Sequence, residues 1–155
     1  MDLIRVFSPE QYDVALESWS WLVTGGQDPW CATAFGDILF GSAEGIWILD
    51  LVTGTYEWTW PTPQAAQADL DTIEGQDRYL LAALAQGAER RGLILGPDEV
   101  YAFTLPPKAG GELTVENIRV MDFALYANLL GQMHAQLRDK PTGFTMTGFE
   151  LSGLD

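Results

Sequence analysis

The chain has 155 residues, 47% hydrophobic and only 19% charged, a composition that excludes intrinsic disorder and coiled coil and fits one folded domain. One cysteine, Cys31, and one histidine, His134, exclude an internal disulfide framework and every two-histidine metal motif. The net charge of -14 excludes sequence-independent binding to phosphate backbones and disfavours anionic membrane surfaces.

In chain order, Ser8-Pro9-Glu10-Gln11 predicts a capped helix start, with Ser8 as N-cap, Pro9 at the first helical position and Gln11 closing a capping box. Tyr12, Ala15, Leu16 and Trp19 follow as one apolar stripe, and Gly25-Gly26 ends the helix. A three-strand meander comes next. Its first strand is expected within Thr33–Phe40, its second at Ile46–Asp50 after the turn Ser42–Gly45, and its third at Thr55–Trp60 after Thr53-Gly54. Simple alternation puts Tyr56, Trp58 and Trp60 on one face of the third strand. Thr62-Pro63 opens a short helix to about Ile73, with an interruption expected at Glu74-Gly75. Asp77–Arg91 reads as a further helix, with Arg90 and Arg91 at its C-terminus and Gly92 as C′ residue. Leu93–Leu105 reads as strand with a turn at Gly96-Pro97, and 106–111 as a loop. The longest helix is expected from about Val115 to Leu137, apolar around more than half its circumference and so largely buried. Residues 141–155 read as a tail or one edge strand. The order predicts a single α+β domain over residues 1–140, an antiparallel sheet packed against helices.

The start Met1-Asp2-Leu3-Ile4-Arg5 has no basic region leading into an apolar one, and no segment reaches the ~18 apolar residues of a membrane span. The expected compartment is the cytoplasm, where an unpaired Cys31 stays reduced.

Charge and tryptophan are both concentrated in the first half. Residues 6–77 hold twelve acidic side chains and no Lys or Arg, and all six tryptophans lie there. This is either a solvated acidic face over an aromatic core or a binding face for a cationic partner, with acidic steering and Trp anchors. The candidate contact residues on turns or the polar strand face are Asp37, Glu44, Asp50 and Glu57. Asp69, Asp71, Glu74 and Asp77 form a second acidic group on a helix-turn. Trp58 and Trp60 are candidates either as anchors or as core.

Catalytic motifs are missing. No serine sits in G-x-S-x-G, and there is no phosphate-binding glycine loop and no calcium-binding D-x-[DN]-x-[DN]-G. His134 reads more simply as a partly buried histidine satisfied by a backbone carbonyl than as a general base, and a Cys31–His134 pair has no local support. The expectation is a non-enzymatic protein without metal or cofactor.

Four phrases are informative as a set: Thr33-Ala34-Phe35-Gly36-Asp37; Gly45–Asp50 with Thr53-Gly54; Gly96-Pro97-Asp98-Glu99 through Pro106-Pro107 with Gly110-Gly111; and Glu116-Asn117-Ile118 with Gly131-Gln132-Met133-His134-Ala135-Gln136. With them, residues 30–137 resemble the C-terminal domain of bacterial type VI secretion immunity proteins, those that neutralise a DNase effector. The resemblance implies a cytoplasmic antitoxin that binds a cognate effector protein and performs no catalysis. Nuclease toxins are usually basic, since they hold a phosphate backbone, so an acidic partner suits them. A general interaction or scaffold domain, and a metal-dependent enzyme using surface carboxylates, are the competing readings.

Overall fold

The computed structural model describes residues 2–138. Five strands form one antiparallel sheet in sequential order: β1 (Ile4–Arg5), β2 (Asp28–Thr33), β3 (Ile38–Ser42), β4 (Gly45–Asp50) and β5 (Thr55–Trp60). Alternation along the strands gives the sheet two apolar faces. Ala32, Ile38, Phe40 and Leu49 enter the larger core, with Trp19, Tyr126, Leu130 and Met133. Cys31, Leu39, Ile46 and Trp60 enter a smaller one with Ala66.

The larger core is closed by α1 (Pro9–Leu16) and α5 (Phe123–Leu137). The capping box of α1 forms as expected: Gln11 N–H donates to Ser8 Oγ at 3.2 Å and Ser8 N–H to Gln11 Oε1 at 2.8 Å. The smaller core lies under α2 (Pro63–Leu70) and α3 (Ile73–Leu80), which α4 (Ala82–Arg90) follows. Thr62 caps α2 and Thr72 caps α3. The C-terminus of α4 is a Schellman turn, with Leu93 N–H bonded to Ala88 O and Gly92 N–H to Glu89 O.

A second, two-stranded sheet pairs β6 (Glu99–Phe103) with β7 (Ile118–Asp122). It joins α4 and the turn after β2 in a third cluster around Phe35, Tyr101 and Phe103. Tyr101 N–H donates to Ala34 O at 2.7 Å and ties it to the main sheet.

Several expectations are corrected or narrowed. The strand expected within Thr33–Phe40 is β3, which begins only at Ile38 and runs on to Ser42; Thr33 ends β2, and the turn between them holds Gly36 at φ +89°. The break expected at Glu74-Gly75 lies earlier, at Asp71-Thr72, and those two residues sit in the first turn of α3. The helix expected over Asp77–Arg91 is broken at Leu81, which takes a left-handed conformation at φ 51° between α3 and α4. The segment Leu93–Leu105 contributes only Glu99–Phe103 as strand. The helix expected from Val115 is the largest difference. Residues 118–122 form β7, and α5 starts after Asp122, whose carboxylate caps Leu125 N–H at 3.0 Å. The tail or edge strand expected over 141–155 lies outside the described residues.

Two strands carry a bulge. In β2 the register shifts between Pro29 and Cys31, making Trp30 the extra residue. In β5 the partners of adjacent Ile46 and Trp47 are Trp60 and Trp58, making Thr59 the extra residue. The second bulge reverses the parity of β5. Tyr56 packs against the larger core while Trp60 enters the smaller one, so the three aromatics do not share a face.

Candidate functional site

A cleft of about 440 Å³ opens between the β4–β5 hairpin and the end of α3. Asp37, Asp50 and Glu57 line it, with Ile48, Thr55 and Thr59 on the sheet side and Arg78, Tyr79 and Leu81 on the helix side. Trp58 also contributes to the lining. Four of the residues singled out in the sequence, Asp37, Asp50, Glu57 and Trp58, thus surround one cavity.

They are not equivalent. Glu57 is exposed near the middle of β5. Asp50 ends β4 and its Oδ1 accepts from Val52 N–H and Thr53 N–H at 2.8 and 3.1 Å, shaping the turn into β5. Asp37 is only 6% exposed and its Oδ1 accepts from Leu51 N–H at 2.8 Å. Burial pushes the Asp37 carboxyl well above the ordinary carboxylate range, the Asp50 charge adds to the rise, and the Leu51 N–H opposes it. Asp37 is therefore part of the scaffold under the cleft more than a free charge within it.

Trp58 is 47% exposed, yet its indole N–H donates to Glu44 O at 2.8 Å. The hydrogen bond holds an exposed aromatic over the β3–β4 turn, where Glu44 itself is exposed. Trp60 is the reverse case. It is 5% exposed, its ring centroid lies 4.7 Å from that of Tyr79, and its indole N–H donates to Asp69 Oδ2 at 3.0 Å. Of the two readings open for this pair, Trp60 is core and Trp58 is available at the surface.

The second acidic group lies on the α2–α3 helix-turn. Asp69 is held by Trp60, and exposed Asp71 accepts from Gln67 Nε2 at 2.9 Å. Glu74 and Asp77 are exposed on α3. Eight of the ten candidates stand at or beside the surface formed by α2, α3 and the β3–β5 turns; Asp37 and Trp60 lie beneath it.

The sequence phrases have another role. Thr33 Oγ1 accepts from Phe35 N–H and Asp37 N–H and closes the β2–β3 turn. Asn117 donates from Nδ2 to the carbonyls of Leu105 and Glu112, and its Oδ1 accepts from Leu105 N–H at 2.9 Å. A side chain at Gly111 would collide with the Leu105 carbonyl. Gly131 leaves the space that Ser18 and Trp19 fill. His134 is 3% exposed and its Nε2 donates to the Leu51 carbonyl at 2.8 Å. Burial lowers the His134 imidazole below its ordinary 6.5. Asp37 and His134 thus hold the two backbone groups of the same residue, Leu51, and the phrases mark structural staples. His134 fits the simpler reading made from sequence. Cys31 belongs to the smaller core on the other face of the sheet, and burial raises its thiol to about 11, so no thiol–imidazole pair forms.

The sequence reading missed a second groove. Exposed Trp30 and Val6, with Ile4, Leu39, Leu70 and Leu80, line about 650 Å³ between β1–β2 and the helices α2–α4. The bulge that presents Trp30 has no signal in a pattern of alternation. Among the described residues no group of three or more His, Cys, Asp or Glu could hold a metal ion, and no helix is long and apolar enough to cross a membrane.

Residues 67–134 match the family described as T6SS immunity protein Tdi1, C-terminal. The matched segment runs from α2 to α5 and lies within the 30–137 over which the resemblance was read. Among curated proteins, none matches the chain. Among solved structures the chain is similar to the crystal structure of Atu4351 from Agrobacterium tumefaciens, with TM-score 0.54 and 17% identity, covering 84% of this chain and 66% of that one. That likeness shows the α+β fold, and the chain spans just under two thirds of the other protein's length.

Proposed function

We propose, from the match of residues 67–134 to the C-terminal family of type VI secretion immunity proteins, that the chain is a cytoplasmic, non-enzymatic immunity protein that binds and occludes a cognate effector toxin. The effector is basic and a nuclease in this reading. The observation that carries it is the acidic surface around the β4–β5 cleft, with Trp58 presented beside it. A nuclease holds its phosphate backbone with Lys and Arg, and this surface competes for the same side chains. Exposed carboxylates such as Glu44 and Glu57 contribute about 0–1 kcal/mol each and act mainly on the association rate and its salt dependence. Trp58, already held by its bond to Glu44, contributes roughly 2 kcal/mol as an anchor.

The test is a tagged pull-down from the source cell at low and high salt, paired with co-expression beside any large neighbouring gene product. The expected result is a basic, toxic polypeptide captured at low salt, weakened at high salt, whose lethality the chain suppresses. Charge reversal at Glu44, Asp50 and Glu57 should slow its association. A complex indifferent to salt and to all three reversals would sink the proposal.

A further inference from the structure

Resting on the immunity reading, we infer that the free edge of β5 takes an extended, Lys- or Arg-bearing segment of the effector as a sixth strand. The two edges of the main sheet differ. β1 is two residues long, the short edge that proteins commonly use to discourage further pairing. β5 is six residues long, ends the strand order, and among the described residues has a ladder partner on one side only. Its sequence, Thr55-Tyr56-Glu57-Trp58-Thr59-Trp60, carries no Lys and no Pro, two of the residues that guard such an edge, and the Thr59 bulge leaves Thr55–Trp58 as its regular run. Thr55, Glu57 and Trp58 are exposed along it. An added strand would satisfy its backbone groups against β5, while alternate side chains would lie over the cleft.

Charge chooses the occupant. The sheet side of the cleft offers Asp50 and Glu57, with Asp37 beneath, and among the described residues Arg78 on the helix side is the one basic residue in the lining. A segment with cations at alternate positions meets carboxylates on the sheet side. An acidic or a purely apolar segment would leave those carboxylates desolvated without a partner.

The test is amide hydrogen exchange of the full chain, alone and with the effector polypeptide captured as above. Strand addition slows alternate amides within 55–60 by ~10-fold or more. The double variant Thr55→Lys with Glu57→Lys, checked for an unchanged melting temperature, should abolish that protection and weaken binding ~10-fold or more. Glu57→Gln keeps the edge, so it should keep the protection and lower only the salt dependence. A complex that protects other surfaces and leaves β5 amides unchanged overturns the edge proposal and leaves the immunity reading standing. Protection of β5 in the free chain that grows with concentration identifies a second copy as the occupant, which also overturns it. No complex with any effector overturns both.

Discussion

The two faces of the main sheet are built differently. Among the described residues, the α1–α5 face gathers eighteen buried residues into one core, including Trp19, Phe40, Phe123 and Tyr126. The α2 face gathers five, around Trp60, and beside it the polar ends of β4 and β5 open into the acidic cleft. Trp19 lies in the first core with no exposed surface and donates to Ala127 O at 2.8 Å. The two faces therefore differ in what they leave open: the thick apolar face sets the stability, and beside the thin face carboxylates stay at the surface, where the proposed partner would meet them.

The tryptophans can break this comparison. Trp19→Ala should cost about 3–5 kcal/mol, because a cavity opens where the core is thickest and the Ala127 carbonyl loses its donor. Trp60→Ala should cost roughly 3 kcal/mol, less because the core around it is smaller. Urea midpoints measure both, and a larger loss at Trp60 would reverse the ranking of the faces. Trp58→Ala should change stability by less than ~1 kcal/mol but weaken effector binding by roughly 2 kcal/mol, about 30-fold. Calorimetric titration beside a melting curve separates the two effects.

Smaller effects sharpen the picture. The Asp37 carboxyl titrates above its unfolded value, so its ionisation costs stability once the pH exceeds the folded value, and the cost vanishes as the pH falls below the unfolded one. Asp37→Asn, which keeps an acceptor for Leu51 N–H, should melt at or above wild type at pH 7, with the advantage shrinking on acidification. His134 has the opposite sign. Its folded value lies below 6.5, so it contributes stability above 6.5 that is lost as the pH falls through the folded value. Melting temperature against pH for wild type, Asp37→Asn and His134→Gln checks both signs. The smallest effect is expected from Glu44→Lys, under ~1 kcal/mol in stability and mainly a slower, less salt-sensitive association.

Much of this architecture was legible in the residues. Ser8-Pro9-Glu10-Gln11 specified its cap, Arg91-Gly92 its helix end, and the turns at Gly45 and Gly54 the hairpins, because each rests on local chemistry. The misses share a cause, since each depends on a partner distant in sequence. Ile118–Asp122 merges with the apolar pattern of α5, and only pairing with β6 makes it a strand; Asp122 as a cap was the available clue. Leu81 carries no mark of a left-handed break. Alternation placed Trp58 and Trp60 together, and the Thr59 bulge, a property of the pairing with β4, separates them. The acidic candidates were legible as a group because charge survives on a surface whatever the register. That Asp37 would be a buried staple was not, since its environment is supplied by Leu51.

The double tether on Leu51 has a consequence for the turn that follows it. A loop that must be ordered when a partner arrives costs about 1–2 kcal/mol per residue in lost backbone freedom. Asp37 and His134 fix the chain where the β4–β5 turn departs, and Asp50 organises the next two residues. The entropic cost of shaping that segment is met during folding, and the complex proposed above would form on a turn already in place.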